Sequence, residues 1–236
     1  MFSNLLARTV LSASLLVPAL STHAAVINLT DWAFNIDGVV SEAYLGDAMP
    51  GDGFLDPSTG MGSLSFELSG AGNHSWIGFL DLDFDAHLNT YLNEYGLAHG
   101  AVASGQSWQI DEPGYAFGTI YDNVIAGALD NTNHLPSDRP DDVSLALGWN
   151  FDLAQGETAL ITLTLSDMLA TSGFYLEHVD PQTGPGFDDT ASVYFWSSLE
   201  IFRADVPVTV PEPGSLVLMA LGLIAVSTRR LRYTPA

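Results

Sequence analysis

Three aspartates at alternating positions are the strongest candidates for chemistry in this chain. They are Asp81, Asp83 and Asp85, separated by Leu82 and Phe84. Successive side chains of a β-strand point to opposite faces, so this spacing predicts three carboxylates on one face. Such a face is either solvated or bridged by a cation, and Ca²⁺ prefers carboxylate oxygens as ligands. Both interpretations stay open at this point: a solvated outer face, or a calcium site at the end of a strand.

The other acidic residues are weaker candidates. A glycosidase needs two carboxylates at a defined separation, and the most pointed loop pair is Asp111 and Glu112. The sequence contains no Gly-x-Ser-x-Gly elbow, no His-Glu-x-x-His motif and no phosphate-binding glycine loop. It therefore predicts no catalytic residues. Two acidic loop groups can add metal ligands or remain solvated: Asp138, Asp141 and Asp142, and Asp188 with Asp189.

The tryptophans are predicted to divide between the core and the surface. Trp76 and Trp149 alternate in step with apolar neighbours, which places them in the core. Trp196 alternates on the face opposite to Phe195, so it is the better candidate for an exposed ring. An exposed tryptophan can stack on a sugar, and it is also compatible with ordinary packing.

Most of the chain alternates apolar and polar side chains, which predicts antiparallel strands with one buried and one wet face. Helical spacing is limited to short segments around Tyr91 and Val124, and the Pro- and Asp-rich residues 130–142 are predicted to form a long loop. We therefore predict an all-β fold, a single antiparallel β-sandwich that is jelly-roll-like, over residues 25–204. The strongest alternation covers residues 63–69, 76–84, 143–153, 159–166 and 193–201, with weaker strands at 33–39, 107–111 and 174–179.

The charge of this body is extreme. The chain has a net charge of −22, with 28 acidic residues, six arginines and no lysine. Four of the arginines lie in the terminal segments, so the body taken as residues 25–210 keeps 27 acidic and two basic side chains, a formal charge of −25. Nucleic-acid binding requires the opposite sign and is excluded as a function class. There is no cysteine, so disulfides, thiolate zinc sites and cysteine nucleophiles are excluded as well.

The N-terminal segment is predicted to be a secretory signal peptide over residues 1–24. Arg8 provides a positive start, and a mostly apolar stretch follows at residues 10–20. Small residues precede the predicted cleavage point between Ala24 and Ala25, as signal peptidase requires.

The C-terminal segment begins with a rigid tripeptide and continues as an apolar run. Pro211, Glu212 and Pro213 are predicted to be extended, because proline fixes φ and disfavours helix in the residue before it. The uncharged stretch at residues 214–228 has 15 residues. As a helix it spans roughly 22 Å at about 1.5 Å per residue, short of the ~30 Å hydrocarbon core. It therefore predicts a temporary stop in the membrane.

A basic cluster ends the chain. Arg229, Arg230 and Arg232 hold the extreme C terminus on the cytoplasmic side by the positive-inside rule. Two consecutive segments together resemble the PEP-CTERM sorting signal of Gram-negative bacteria. They are a linker at 205–213 with its Pro-Glu-Pro motif, and a hydrophobic helix with an arginine tail at 214–236. The resemblance implies export, recognition by an exosortase and cleavage near the motif. It also implies delivery to the cell envelope or the extracellular polysaccharide matrix, with the C terminus in the membrane before processing.

These observations predict an exported surface or biofilm-matrix protein without catalytic activity. Its expected partners are signal peptidase, exosortase, the bacterial membrane in passing, and exopolysaccharide. The alternative is a calcium- or carbohydrate-binding, lectin-like module, and a secreted glycoside hydrolase is a third hypothesis. Ca²⁺ is the one cofactor that the sequence suggests.

Overall fold

The computed structural model describes residues 27–56, 59–84, 90–169, 173–183 and 189–203, and the single positions 218, 219, 221 and 223. The predicted signal peptide, its cleavage point at Ala24 and Ala25, and the Pro-Glu-Pro tripeptide lie outside these residues. The four positions near the C terminus are helical and exposed. Among the described residues, no helix combines the length and the apolar character needed to cross a membrane.

The described residues form two antiparallel sheets that pack face to face. The five-stranded sheet has the order β2-β1-β5-β8-β7 and the six-stranded sheet the order β3-β4-β9-β11-β10-β6, with the strands numbered along the chain. The strands are Ile27–Ile36 (β1), Val39–Glu42 (β2), Asp52–Leu55 (β3), Gly62–Ser69 (β4), Gly72–Phe84 (β5), Tyr95–His99 (β6), Gln106–Asp111 (β7), Ser144–Leu153 (β8), Glu157–Ser166 (β9), Tyr175–Thr183 (β10) and Asp189–Arg203 (β11). The predicted all-β sandwich is confirmed. It has more strands than the eight of a jelly roll.

The main core lies between the sheets, where the inward side chains of each strand meet. In β9 the inner residues Ile161 and Leu163 are fully buried, whereas Thr162 between them is only partly buried. Trp76 and Trp149 lie in this core as predicted, and Trp149 Nε1 donates to Ser197 Oγ at 2.9 Å. The period-two alternation therefore reports burial directly, because one face of each strand is the core face.

A second, smaller core covers the outside of the five-stranded sheet. Its cover is one short helix, Ile120–Ala126 (α1), which confirms the predicted turn of helix around Val124. Ile120 and Val124 pack on outward-facing apolar residues of the sheet, among them Ile77 and Phe79. Asn35 Nδ2 anchors the helix to the sheet. It donates hydrogen bonds to the carbonyl oxygens of Val124, at 2.8 Å, and Ile125, at 3.1 Å. This outer face is consequently buried rather than wet along much of its length.

The segment between β5 and β6 differs from its predicted form. The apolar spacing around Tyr91 predicts helix, but the structure has a single 3₁₀ turn, Tyr91–Asn93, and Tyr95 already begins β6. Strand β6 crosses close to the opposite sheet, because a Cβ on Gly96 would lie 2.3 Å from Ile110 Cγ2. Only glycine permits this approach, and it brings Glu94, just before β6, into the interior.

Candidate functional site

The candidate site lies where β5 runs past helix α1 and its outer face turns acidic. Asp81 is aligned with Asp31 on β1 and with Ser144 on β8, and Asp83 follows on the same face. Thr30 Oγ1 donates to Asp83 Oδ2 at 2.8 Å. We call this region the acidic end, which comprises Asp31, Asp81, Asp83, Glu94, Asp142, His178 and Asp180.

Asp81 is buried, which corrects the interpretation of a fully solvated aspartate face. Its exposed fraction is 3%, and its Oδ1 accepts a hydrogen bond from Ser144 Oγ at 2.6 Å. Burial raises the pKa of Asp81 well above its ordinary value, because a buried carboxylate loses its hydration. The Ser144 bond lowers this pKa, whereas the charges of Asp142, Asp83 and Asp31 raise it further.

A tyrosine from the loop before α1 closes over Asp31. Tyr115 donates its hydroxyl proton to Asp31 Oδ2 in a short hydrogen bond. The other carboxylate oxygen of Asp31 accepts from the backbone nitrogen of Trp32 at 2.8 Å. Burial, followed by the bond to Asp31 and the nearby negative charges, raises the pKa of Tyr115. Tyr115 therefore remains a protonated donor, and its ring is fixed at the edge of the site.

A fully buried histidine–glutamate pair forms the floor of the acidic end. His178 Nε2 and Glu94 Oε2 are 2.6 Å apart, and neither side chain is exposed to solvent. Burial, reinforced by Asp180 and Asp83, raises the pKa of Glu94 to about 10, and burial lowers the pKa of His178 to about 4. The pair is therefore neutral at physiological pH, with the Glu94 carboxyl donating to Nε2. His178 Nδ1 has no hydrogen-bond partner among the described residues.

Asp142 joins this buried pair to the surface. Burial raises its pKa to about 7, and the charge of Asp83 adds to the effect. Its Oδ1 is buried and, within the described part of the chain, has no hydrogen-bond partner. Its backbone nitrogen donates to Asp141 Oδ1 at 3.0 Å. A carboxyl that changes charge near neutral pH beside a cleft is a marker of functional sites.

An open cleft of about 310 Å³ borders the acidic end. We call it the acidic cleft. Three carboxylates reach it, and the pKa of one of them, Glu112, is raised by burial and then by Asp141 and Asp111, with Arg139 acting in the opposite direction. Its residues are Tyr91, Leu92, Glu112, Pro113, Tyr115, Ala116, Phe117, Asp141 and Asp142.

The predicted pair of Asp111 and Glu112 is divided by the structure. Glu112 lines the acidic cleft, but Asp111 is buried and holds the start of α1. Asp111 Oδ2 accepts hydrogen bonds from the backbone nitrogen of Thr119 at 2.8 Å and from Gln109 Nε2 at 3.3 Å. Asp111 therefore has a structural role, and the acids that share the cleft with Glu112 are Asp141 and Asp142.

The predicted metal ligands are only partly described. Asp81 and Asp83 lie on one face as the spacing predicts, whereas Asp85 and Asp188 lie outside the described residues and nothing is described of the Asp189 side chain. Among the residues that are described, no group of three or more histidine, aspartate or glutamate side chains is placed to hold a metal ion. The calcium site of Asp81, Asp83 and Asp85 thus stays a prediction.

Comparison with known proteins identifies the C-terminal segment. The family model of the PEP-CTERM protein-sorting motif matches residues 209–232. The chain carries a PEP-CTERM sorting motif. The match contains the predicted sorting residues Pro211, Glu212, Pro213, Arg229, Arg230 and Arg232. It identifies the chain as an exported protein that exosortase recognises. No curated protein and no solved structure gives a significant match.

The acidic end and the neighbouring Tyr115 include residues that the sequence did not single out. Glu94, His178, Tyr115 and Asp31 come from four separate segments, and each looks like an ordinary surface or loop residue in isolation. Their roles depend on pairings between distant segments, which a single sequence does not show. One signal was available for Glu94: it lies two residues before Gly96, where the chain approaches the opposite sheet.

Proposed function

We propose that this PEP-CTERM protein is a surface or extracellular-matrix protein without catalytic activity, placed in the envelope or exopolysaccharide matrix after exosortase processing. The observation that carries the proposal is the sorting motif at residues 209–232. The body suits such a location: its formal charge of −25 keeps it soluble and repels anionic surfaces. The neutral Glu94–His178 pair and the helix-anchoring Asp111 supply structural explanations for acids that would otherwise suggest catalysis.

Cell fractionation tests the location. Replacing Pro211 and Pro213 with alanine should leave the protein unprocessed in the membrane fraction, because we expect the protease to bind this tripeptide in an extended form. Pro207→Ala is the matched control, since this proline lies in the linker just outside the matched residues. Mass spectrometry of the mature C terminus should find cleavage near the motif in the parent and the control. An unchanged distribution and an intact C terminus in all three proteins would refute the proposal.

Calcium binding at the acidic end is the second candidate function. It is supported by the crowding of Asp31, Asp81, Asp83 and Asp142, where burial raises the pKa of Asp81 and the charges of the other three raise it further. A divalent cation held there with Asp85 and water would relieve that repulsion and favour the ionised carboxylates.

A thermal melt with added Ca²⁺ tests this second candidate. Ca²⁺ at about 100 times its dissociation constant should add about 2.7 kcal/mol of stability if the folded protein alone binds it. Asp83→Asn should remove most of that gain. Asp122→Asn should keep it, since Asp122 is an exposed residue of α1 away from the acidic end. A melting temperature that ignores Ca²⁺ would eliminate the calcium hypothesis.

A further inference from the structure

The acidic cleft combines negative charge with exposed aromatic rings. Glu112, Asp141 and Asp142 supply carboxylates from two different loops. The buried Oδ1 of Asp142 has no hydrogen-bond partner among the described residues. Among the described residues, Arg139 is the one basic side chain whose charge lowers the pKa of Glu112, and it does not line the cleft. The cleft therefore carries net negative charge, and a ligand that matches it carries positive charge.

The rim of the cleft offers flat apolar surfaces. Tyr91, Tyr115 and Phe117 are 50%, 60% and 72% exposed, which is unusual for large rings gathered around one depression. Tyr115 is held in place, because its hydroxyl is bonded to Asp31 and its ring lies 6.4 Å from that of Tyr121. A fixed, exposed ring loses little conformational entropy when a ligand stacks on it.

We propose that the acidic cleft binds a glycan whose sugar units carry protonated amino groups. The apolar C–H face of a sugar ring suits Phe117 and Tyr115, and its ammonium group suits Asp141, Asp142 and Glu112. An ammonium beside both carboxylates and aromatic rings gains Coulombic and cation–π attraction together. An anionic glycan would be repelled, and an uncharged glycan would leave the carboxylates without a counter-charge.

The size of the cleft limits how much ligand it encloses. A volume of about 310 Å³ lies at the lower end of the range of about 300–1,000 Å³ for small-molecule sites. The cleft therefore accommodates a short stretch of a glycan, and the remainder of the polymer continues across the surface. This inference takes only the source of the ligand, an extracellular polysaccharide, from the proposed function. The chemistry of recognition rests on the cleft alone.

Calorimetric titration of the purified full chain with two matched probes tests the inference. The probes are a β-1,4-linked glucosamine oligomer and the fully N-acetylated oligomer of the same length, at near-neutral pH and low salt. The amino form should bind at least about tenfold more tightly, equivalent to about 1.4 kcal/mol, because acetylation removes the charge and keeps the ring. Equal affinity for the two probes, or heat from neither, would overturn the inference.

Variants locate the binding. Phe117→Ala and Asp141→Asn should each weaken binding of the amino oligomer by about tenfold. Phe54→Ala and Asp122→Asn are the matched controls and should bind normally, because Phe54 is 64% exposed on the six-stranded sheet and Asp122 is exposed on α1. Phe117 is mostly exposed, so its variant should fold as the parent does. Binding that survives both cleft variants would overturn the inference.

A lysine oligopeptide serves as the third probe. If it binds as tightly as the amino sugar, the cleft recognises positive charge alone and the glycan inference is wrong; much weaker binding of the peptide supports it. Release of shorter sugars from the amino oligomer would support the ligand class while refuting the non-catalytic proposal. Failure in these titrations leaves the fractionation result unaffected, so the two proposals fail separately.

Discussion

Near each end of strand β5 a histidine lies against a carboxylate, with opposite consequences for charge. At the first end His74 Nδ1 lies 2.8 Å from Asp37 Oδ2, and Nε2 lies 2.9 Å from the Gly70 carbonyl oxygen. The bond to Gly70, followed by the bond to Asp37, raises the pKa of His74. At the other end His178 and Glu94 are even closer, at 2.6 Å, yet burial lowers the pKa of the histidine.

The contrast shows that access to water, rather than distance, decides whether such a pair is ionised. At the His74 end Asp37 is 40% exposed, so both charges keep part of their hydration. At the acidic end both partners are completely buried and several carboxylates surround them. Removing two charges from water costs more than their attraction returns, so the buried pair is neutral. The acidic end consequently contains buried carboxyl groups whose cost of desolvation the rest of the fold must offset.

Truncating Glu94 should have the largest effect on either end. Glu94→Ala deletes the hydrogen bond to His178, leaves a buried ring nitrogen without a partner and opens a cavity in the core. We expect a loss of about 3–5 kcal/mol in the free energy of unfolding, measured by urea denaturation. Glu94→Gln is the matched control and should cost at most about 1 kcal/mol, because a neutral amide replaces a carboxyl that is already neutral. If glutamine is as harmful as alanine, the buried pair is ionised and the contrast with His74 is lost.

The pH dependence of stability should distinguish the two ends next. Glu94 has a folded pKa of about 10 against an ordinary value of 4.5, so between these pH values the folded state holds one proton more than the unfolded state. Stability must therefore fall as pH rises through this window. The contribution of one group is on the order of 1 kcal/mol per pH unit.

The other groups of the acidic end act mainly at lower pH. Asp142 adds to the fall up to its folded pKa of about 7. His178 acts in the opposite sense: unfolded histidine takes up a proton below 6.5, whereas the folded ring does not until about 4, so this contribution is lost as pH decreases from 6.5 to 4. Urea denaturation of the parent and Glu94→Gln between pH 7 and 9 isolates Glu94. Two parallel curves would show that Glu94 is not protonated in the folded protein.

Neutralising Asp81 should have a smaller effect, and a favourable one. Asp81→Asn keeps an oxygen that accepts from Ser144 Oγ, and it removes a buried charge near Asp31, Asp83 and Asp142. We expect the free energy of unfolding at pH 8 to rise by about 1 kcal/mol, or to stay unchanged if Asp81 is already protonated there. Ser144→Ala should lower it by about 1–2 kcal/mol, because Asp81 loses its buried donor. Marked destabilisation by Asp81→Asn would mean that its charge holds the acidic end together.

The part of the fold that could be predicted from the sequence is the part controlled by alternation. In β9 and β11 one face is buried and the other is not, so a period of two suffices to find them. The same argument fails for Asp81, because the outward face of β5 is covered by α1 and by loops from distant parts of the chain. The sequence likewise finds Glu112 as a candidate but cannot show that Asp111 turns inward to hold α1 while Asp141 and Asp142 approach from another loop. Such pairings depend on the three-dimensional fold of the loops, which local pattern does not encode.

The exposed end of β5 should give the smallest effect and the opposite pH dependence. Asp37 has φ of 51°, a conformation that asparagine tolerates, and its Oδ1 accepts from the Ser75 nitrogen at 2.7 Å. Asp37→Asn therefore keeps the backbone geometry and removes only the charge facing His74. Because the folded pKa of His74 is raised, its contribution is present below 6.5 and is lost as pH increases through the folded value. We expect a loss of under about 1 kcal/mol near pH 6 that is smaller at pH 8, as an exposed pair should show. A loss that is the same at both pH values would mean that Asp37 acts through the backbone turn alone, and His74 would then not be the charged counterpart of the neutral His178.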